Sequence, residues 1–117
     1  MSPTNAPPID ITAFNALRAM VGEDTLPAII DQFIEHAATV HTAIEESIAH
    51  NDAETLAATA HKLKPSSKQF GLMKLHHYLM AFEAFGNEGD MESAKTELEA
   101  LTDALIESRN ILRDLSS

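Results

Sequence analysis

Apolar residues recur every three or four positions along most of the chain, which is the spacing of one face of an α-helix. No stretch alternates apolar and polar residues in the way a half-buried strand does. Glycines and helix-capping residues divide the pattern into five predicted helices. These run from about Asp10 to Met20, from Asp24 or Thr25 to about His50, from Asn51 or Asp52 to a break at Gly71, from about Met73 to Phe85 with an end at Gly86-Asn87, and from Asp90 onward.

The connections between these helices are short, which favours antiparallel neighbours. The predicted fold is therefore all-α: an antiparallel up-down four-helix bundle with a short N-terminal capping helix over one end. Residues 1–8 hold three of the five prolines and show no periodicity, and we interpret them as a disordered leader. Residues 9–117 are then one domain, as the chain length also suggests.

Composition narrows the classes of protein further. The chain has no cysteine, so it can form neither a disulfide nor a thiolate metal site. It has no apolar run of the roughly 20 residues that span a bilayer, and its start lacks the pattern of a signal peptide. We therefore expect a cytoplasmic protein with no membrane association. The net charge of −10 disfavours binding to nucleic acid.

The segment from Thr55 to Phe82, called here the acid-free segment, contains no Asp or Glu in an otherwise acidic chain. It holds half of the eight basic residues and three of the six histidines. The cluster is either a chance feature of a solvated face or a site for an anionic group. Its members are Lys62, Lys64, Lys68, Lys74, His61, His76 and His77.

His61 lies one position, or about 100° of helix, beyond the apolar stripe through Ala60, so it is expected near solvent. Lys64 and Lys68 follow at spacings that stack along the same side, and small Ala57 is expected to leave the imidazole open to approach. Neutral imidazole is a nucleophile, and neighbouring ammonium groups favour its neutral form and attract a phosphoryl group. For an isolated His-Lys pattern, an ordinary surface histidine beside solubilising lysines is the better interpretation.

The longer string around His61 favours the chemical interpretation. Residues 60–71 read Ala-His-Lys-Leu-Lys-Pro-Ser-Ser-Lys-Gln-Phe-Gly, which resembles the signature of the histidine phosphotransfer (HPt) family. The resemblance covers roughly residues 9–115, and outside the motif it includes the Phe33-Ile34 stripe and the Phe82-Glu83 pair. The matching motif residues are Ala60, His61, Leu63, Lys64, Ser66, Ser67, Phe70 and Gly71.

The resemblance implies a role for individual residues. His61 matches the phosphoacceptor, which in the family uses the ring nitrogen farther from the backbone, and Lys64 matches the lysine that interacts with phosphoryl oxygens. Glu83 matches a position, often Gln, that holds the other ring nitrogen. A carboxylate there favours protonation of the imidazole and so opposes the lysines, and the residues alone leave that balance open. Gly71 matches the glycine that ends the motif helix, and Ser67, like its neighbour Ser66, is expected to pack tightly or bond back to that helix.

Pro65 departs from the family pattern, which usually has Gly at this position. Proline removes the N–H that would bond the His61 carbonyl, so the helix is expected to kink at or just before His61 unless it rewinds locally. The kink is either tolerated, because proline is compact and leaves access, or it narrows the range of partners. We favour the first alternative.

These observations predict a carrier that relays a phosphoryl group between receiver-domain aspartates through His61. Its partners would be receiver domains of response regulators or a hybrid sensor histidine kinase. The sequence has no nucleotide-binding motif, so no autokinase activity is expected. No cofactor or metal is assigned to this chain, and Mg²⁺ would belong to the receiver. A monomer is expected. The alternatives are a non-transferring adaptor that binds a receiver or kinase, and an unrelated bundle with a metal or ligand site.

Overall fold

The computed structural model describes residues 7–116, which form five α-helices and no strand. Helices α2 to α5 pack as a ring in which each contacts the next and α2 contacts α5. Two or three residues join α2 to α3, α3 to α4 and α4 to α5, so successive helices are antiparallel. The all-α bundle with a short N-terminal helix is thus confirmed. The helices are α1 (Ile11–Val21), α2 (Leu26–Ala49), α3 (Ala53–Gln69), α4 (Met73–Glu88) and α5 (Met91–Ser116).

Local sequence sets several helix starts where they were predicted. Asp10 caps α1 by accepting the backbone N–H groups of Thr12 and Ala13 at 3.0 and 3.3 Å. Asp52 caps α3 by accepting the N–H of Thr55 at 3.1 Å. These carboxylates satisfy donors that the first turn of a helix cannot pair internally, which is why the helices begin there.

The core is a continuous apolar cluster that runs through the bundle and includes Phe14 and Leu17 of α1. Leu63 of α3 and Phe82 of α4 are fully buried in it. His61 and Glu83 follow the buried stripes of these helices at the boundary with solvent. No helix within residues 7–116 is long and apolar enough to cross a membrane.

Helix α4 extends beyond its predicted end, and the interpretation of Gly86-Asn87 as a helix stop was wrong. The helix continues to Glu88, and Gly89 caps it with a left-handed φ of +71°. Gly86 is buried within the helix because α3 lies against it. A Cβ at Gly86 would come within 2.6 Å of the Ala57 nitrogen and 2.7 Å of the Ala53 oxygen. Glycine is therefore required at this position for close packing of α3 and α4.

The segment before α1 is tied to the turn between α3 and α4. The backbone N–H of Asp10 donates to the Gly71 carbonyl at 2.6 Å, and Lys74 donates its N–H to the Pro7 carbonyl at 3.0 Å. Gly71 has a φ of +79° and follows the end of α3, as predicted. Most of the predicted leader 1–8 lies outside the described residues.

Candidate functional site

The imidazole of His61 is exposed but held by one nitrogen. Its side chain is 63% exposed, although Ala60 beside it is fully buried. His61 Nδ1 lies 2.7 Å from Oε2 of Glu83 on the facing helix. An ionised carboxylate can only accept, so Nδ1 carries the proton and donates it. In the neutral ring the lone pair is then at Nε2, the nitrogen farther from the backbone.

Glu83 also binds Lys64 through its second oxygen. Lys64 Nζ lies 2.5 Å from Oε1, and the two side chains are only 25% and 20% exposed. This hydrogen bond, followed by the one from His61, holds the pKa of Glu83 below its ordinary value despite the opposing effect of burial. The ion pair between Lys64 and Glu83 was not foreseen from the sequence. Lys64 therefore turns inward from the exposed ridge on which it was expected.

The close packing of α3 and α4 explains why Glu83 reaches both residues. Gly86 lies one turn after Glu83 on α4, and its contact with Ala57 brings the two helix backbones together. Ala57, expected to leave the imidazole accessible, also packs against Gly86. The resemblance to the HPt family had already placed Glu83 opposite the imidazole, through the Phe82-Glu83 pair.

Lys68, a predicted site residue, is not brought into contact with His61. It is exposed near the C-terminal end of α3, and its charge is one of those that lower the pKa of His76. Its position makes it part of the positively charged surface beside the imidazole. A role for Lys68 in attracting an acidic partner stays a prediction.

Pro65 lies on the exposed side of α3, which remains helical through it from Ala53 to Gln69. The two serines that follow it bond back to the helix, as expected. Ser66 and Ser67 donate their hydroxyls to the Leu63 carbonyl at 3.2 and 2.9 Å. Ser67 is fully buried, so it also packs within the bundle.

His76 belongs to the predicted basic cluster, but its contact with the backbone of Lys64 was missed by the sequence interpretation. Its Nδ1 lies 3.2 Å from the backbone carbonyl of Lys64. Partial burial lowers the pKa of His76, and the positive charges of His77, Lys68 and Lys64 lower it further against the effect of that hydrogen bond. Its spacing of seven from Glu83 places both on one face of α4, which was the available signal.

A groove of about 420 Å³ lies between α1, α2 and α3, and Ser66 and Gln69 line it from the C-terminal end of α3. Phe33 and Phe70 meet in it with ring centroids 4.9 Å apart, and Ser66 lies at its α3 side. Both apolar and polar side chains line the groove, a composition that suits contact with another protein surface. Among residues 7–116, no group of three or more His, Cys, Asp or Glu residues could hold a metal ion.

Comparison with known proteins agrees with this geometry. The Hpt domain family matches residues 28–111, so the chain belongs to the Hpt domain family. The fold is similar to the crystal structure of histidine-containing phosphotransfer protein B (HptB) from Pseudomonas aeruginosa PAO1. The TM-score is 0.89 at 22% identity, over 95% of this chain and 96% of that chain. No curated protein matches the chain.

Proposed function

We propose that this protein is a histidine phosphotransfer protein that relays a phosphoryl group between receiver-domain aspartates, with His61 as the phosphoacceptor. Membership of the Hpt domain family supports histidine phosphotransfer in two-component phosphorelays. The observation that carries the assignment to His61 is the pairing of an exposed imidazole with Glu83 through Nδ1. That pairing leaves the lone pair of Nε2 for the reaction.

The transfer step follows from this tautomer. The Nε2 lone pair of His61 attacks the phosphorus of an aspartyl phosphate on the receiver, and the N–P bond forms as the P–O bond to the aspartate breaks. The bonding electrons leave with the aspartate, which becomes a carboxylate. Because Nδ1 keeps its proton, the phosphorylated ring is cationic, and the carboxylate of Glu83 stabilises that charge. Attack by a second receiver aspartate on the same phosphorus reverses the step and regenerates neutral His61.

Lys64 has the position and charge to neutralise the transferred group. Its ammonium is bound to the same carboxylate as the imidazole, and a movement toward Nε2 would bring it to the phosphoryl oxygens. After phosphorylation, the Lys64 ammonium would therefore interact with both Glu83 and the phosphoryl group. Pro65 leaves the ring exposed, which supports the view that the proline is tolerated.

The partner we propose is a phosphorylated receiver domain, from a response regulator or a hybrid sensor histidine kinase. It would dock over α2 and α3, with the groove around Phe33 and Phe70 providing apolar contact and Lys68 attracting its acidic face. Mg²⁺ would be supplied by the receiver, and this chain would act as a cytoplasmic monomer without a cofactor of its own. The net charge of −10 supports the absence of nucleic acid among its partners.

The test is phosphoryl transfer from a labelled receiver domain to the wild type and to His61→Gln. His77→Gln serves as the matched control, because His77 is exposed on α4 and is not bound to Glu83. We expect acid-labile, base-stable label on the wild type and on the control, and none on His61→Gln. Label on His61→Gln would overturn the assignment. If several receivers bound the wild type and none labelled it, the protein would be an adaptor without transfer.

A further inference from the structure

Pro65 weakens the helix turn that carries the site. The His61 carbonyl would normally accept the N–H of the residue four positions later, and proline has none. The proline ring also crowds that carbonyl. The missing backbone hydrogen bond lies in the turn between His61 and Lys64, which are the two residues of α3 that bind Glu83.

Side-chain donors from two helices gather at this turn. Ser66 and Ser67 donate to the Leu63 carbonyl from within α3. His76 approaches from α4 and lies 3.2 Å from the Lys64 carbonyl. It is the one of these donors that ties the proline turn to the helix bearing Glu83.

The hydrogen bond defines the state of His76. A carbonyl can only accept, so Nδ1 of His76 must carry a proton and donate. The half-buried ring of His76 projects from α4 and contacts the backbone of Lys64. Because the bond goes to the backbone of Lys64, it fixes where the lysine side chain starts.

We propose that His76 is a positioning residue that holds the backbone of Lys64 across the proline turn and thereby keeps the lysine ammonium at Glu83 and His61. The inference rests on the proposed function for its kinetic consequence, but its structural part does not. Without the bond, the turn before Pro65 is free to shift, and the ammonium moves away from the place where phosphoryl charge appears. A displacement of about 1 Å in a group that acts on the reacting atoms can slow a reaction about a hundredfold.

The experiment compares His76→Leu, which removes the donor, with His76→Asn, whose side-chain amide keeps a donor near the position of Nδ1. His77→Leu is the matched control on the exposed side of α4. The first readout needs no transfer: the titration of Glu83 followed by carboxyl carbon NMR. We expect the Glu83 pKa to rise toward its ordinary value in His76→Leu, because Lys64 withdraws, and to stay low in His76→Asn and in the control.

The second readout is the rate at which a saturating phosphorylated receiver loads His61. We expect His76→Leu to lower this rate about tenfold and His76→Asn to stay within about threefold of wild type. In a Pro65→Ala background the backbone N–H returns, so the effect of His76→Leu should shrink.

Three results would overturn the proposal. An unchanged Glu83 titration in His76→Leu would mean that His76 does not place Lys64. Equal behaviour of His76→Leu and His76→Asn would mean that the ring only fills space, and an equal effect in both backgrounds would remove the link to Pro65. A shifted titration in a protein that accepts no phosphoryl group would support the positioning role and contradict the proposed function.

Discussion

The two oxygens of Glu83 bind different partners, and both partners require the carboxylate to be ionised. Oε2 accepts the proton-bearing Nδ1 of His61, and Oε1 accepts the ammonium of Lys64. Folding therefore favours the charged form of Glu83, and its pKa in the folded protein lies below the ordinary value of 4.5. The same carboxylate that orients the imidazole thus contributes to stability.

The contribution of Glu83 to stability depends on pH. Because the pKa of Glu83 is lower in the folded than in the unfolded chain, the stabilisation is complete above pH 4.5 and is lost as the pH falls through the folded-state pKa. Glu83→Gln should be less stable than wild type near neutral pH, and the difference should close in acid. Urea unfolding from about pH 7 to about pH 3 measures it.

Glu107→Gln is the matched control, since it removes a more exposed partner of a lysine, Lys74, at 3.3 Å. Its stability curve should run nearly parallel to that of wild type, because an exposed ion pair contributes little. A Glu83→Gln curve that also runs parallel to wild type would show that the carboxylate has no special role in stability.

At the scale of helices, the geometry of the site depends on how closely α3 and α4 approach. Gly86 permits the approach, since an added Cβ would meet backbone atoms of α3 that cannot rotate away. Glu83 lies one turn before this contact, where the two helices are close enough for its side chain on α4 to reach residues of α3. Separating the helices would therefore stretch the bonds from Glu83 to both His61 and Lys64.

Gly86→Ala tests this dependence. We expect it to destabilise the protein by about 1–3 kcal/mol, because overpacking outweighs the better helix propensity of alanine. It should also slow loading of His61. Denaturant unfolding and single-turnover loading measure the two effects.

Gly89→Ala is the control for that substitution. Gly89 has open space around its Cβ position but a positive φ, so alanine there should cost about 1–2 kcal/mol and leave the loading rate unchanged. If Gly86→Ala loaded as fast as Gly89→Ala, the helix contact would not control the site.

The sequence predicted the starts of helices better than the contacts between them. Asp10 and Asp52 were recognised as caps because a cap depends on residues two or three positions away. Gly86 was misread as a helix end, since its environment is the backbone of another helix. A local pattern cannot distinguish a glycine that stops a helix from one that admits a neighbour.

The same limit applies to the residues around His61. The motif predicted His61 and Lys64 together, and the family resemblance placed Glu83 opposite the imidazole. The ion pair of Lys64 with Glu83 and the bond from His76 to the Lys64 carbonyl were missed. Both depend on the rotation of α4 relative to α3, which the packing of the whole bundle determines.

Charge is distributed unevenly over the surface of the protein. The net charge is −10, yet the acid-free segment presents lysines beside His61. A receiver that approaches with an acidic face would be repelled by most of the surface and attracted by this part of it. The uneven distribution would orient the encounter rather than strengthen the final complex.

Lys68→Glu tests this orientation. We expect the second-order loading rate to fall by about three- to tenfold at low ionic strength, with the difference shrinking as salt is added. The rate at saturating receiver should be unchanged, because Lys68 does not contact His61. Quenched-flow labelling over a range of receiver and salt concentrations separates the second-order rate from the rate at saturating receiver.

Lys95→Glu makes the same charge change at an exposed position on α5 and is the matched control. It should leave loading close to wild type at each salt concentration. Equal slowing by both substitutions would show that net charge, and not the surface beside His61, governs the encounter.

The order of the helices along the chain has a consequence for how the site forms. His61 and Lys64 lie on α3, and His76 and Glu83 lie on α4, so a single helical hairpin joined by three residues carries all four. Contacts within such a hairpin close a short loop and lose little chain entropy, whereas the pairing of α2 with α5 joins distant segments. We therefore expect the site to take shape with the hairpin, ahead of the closure that completes the bundle.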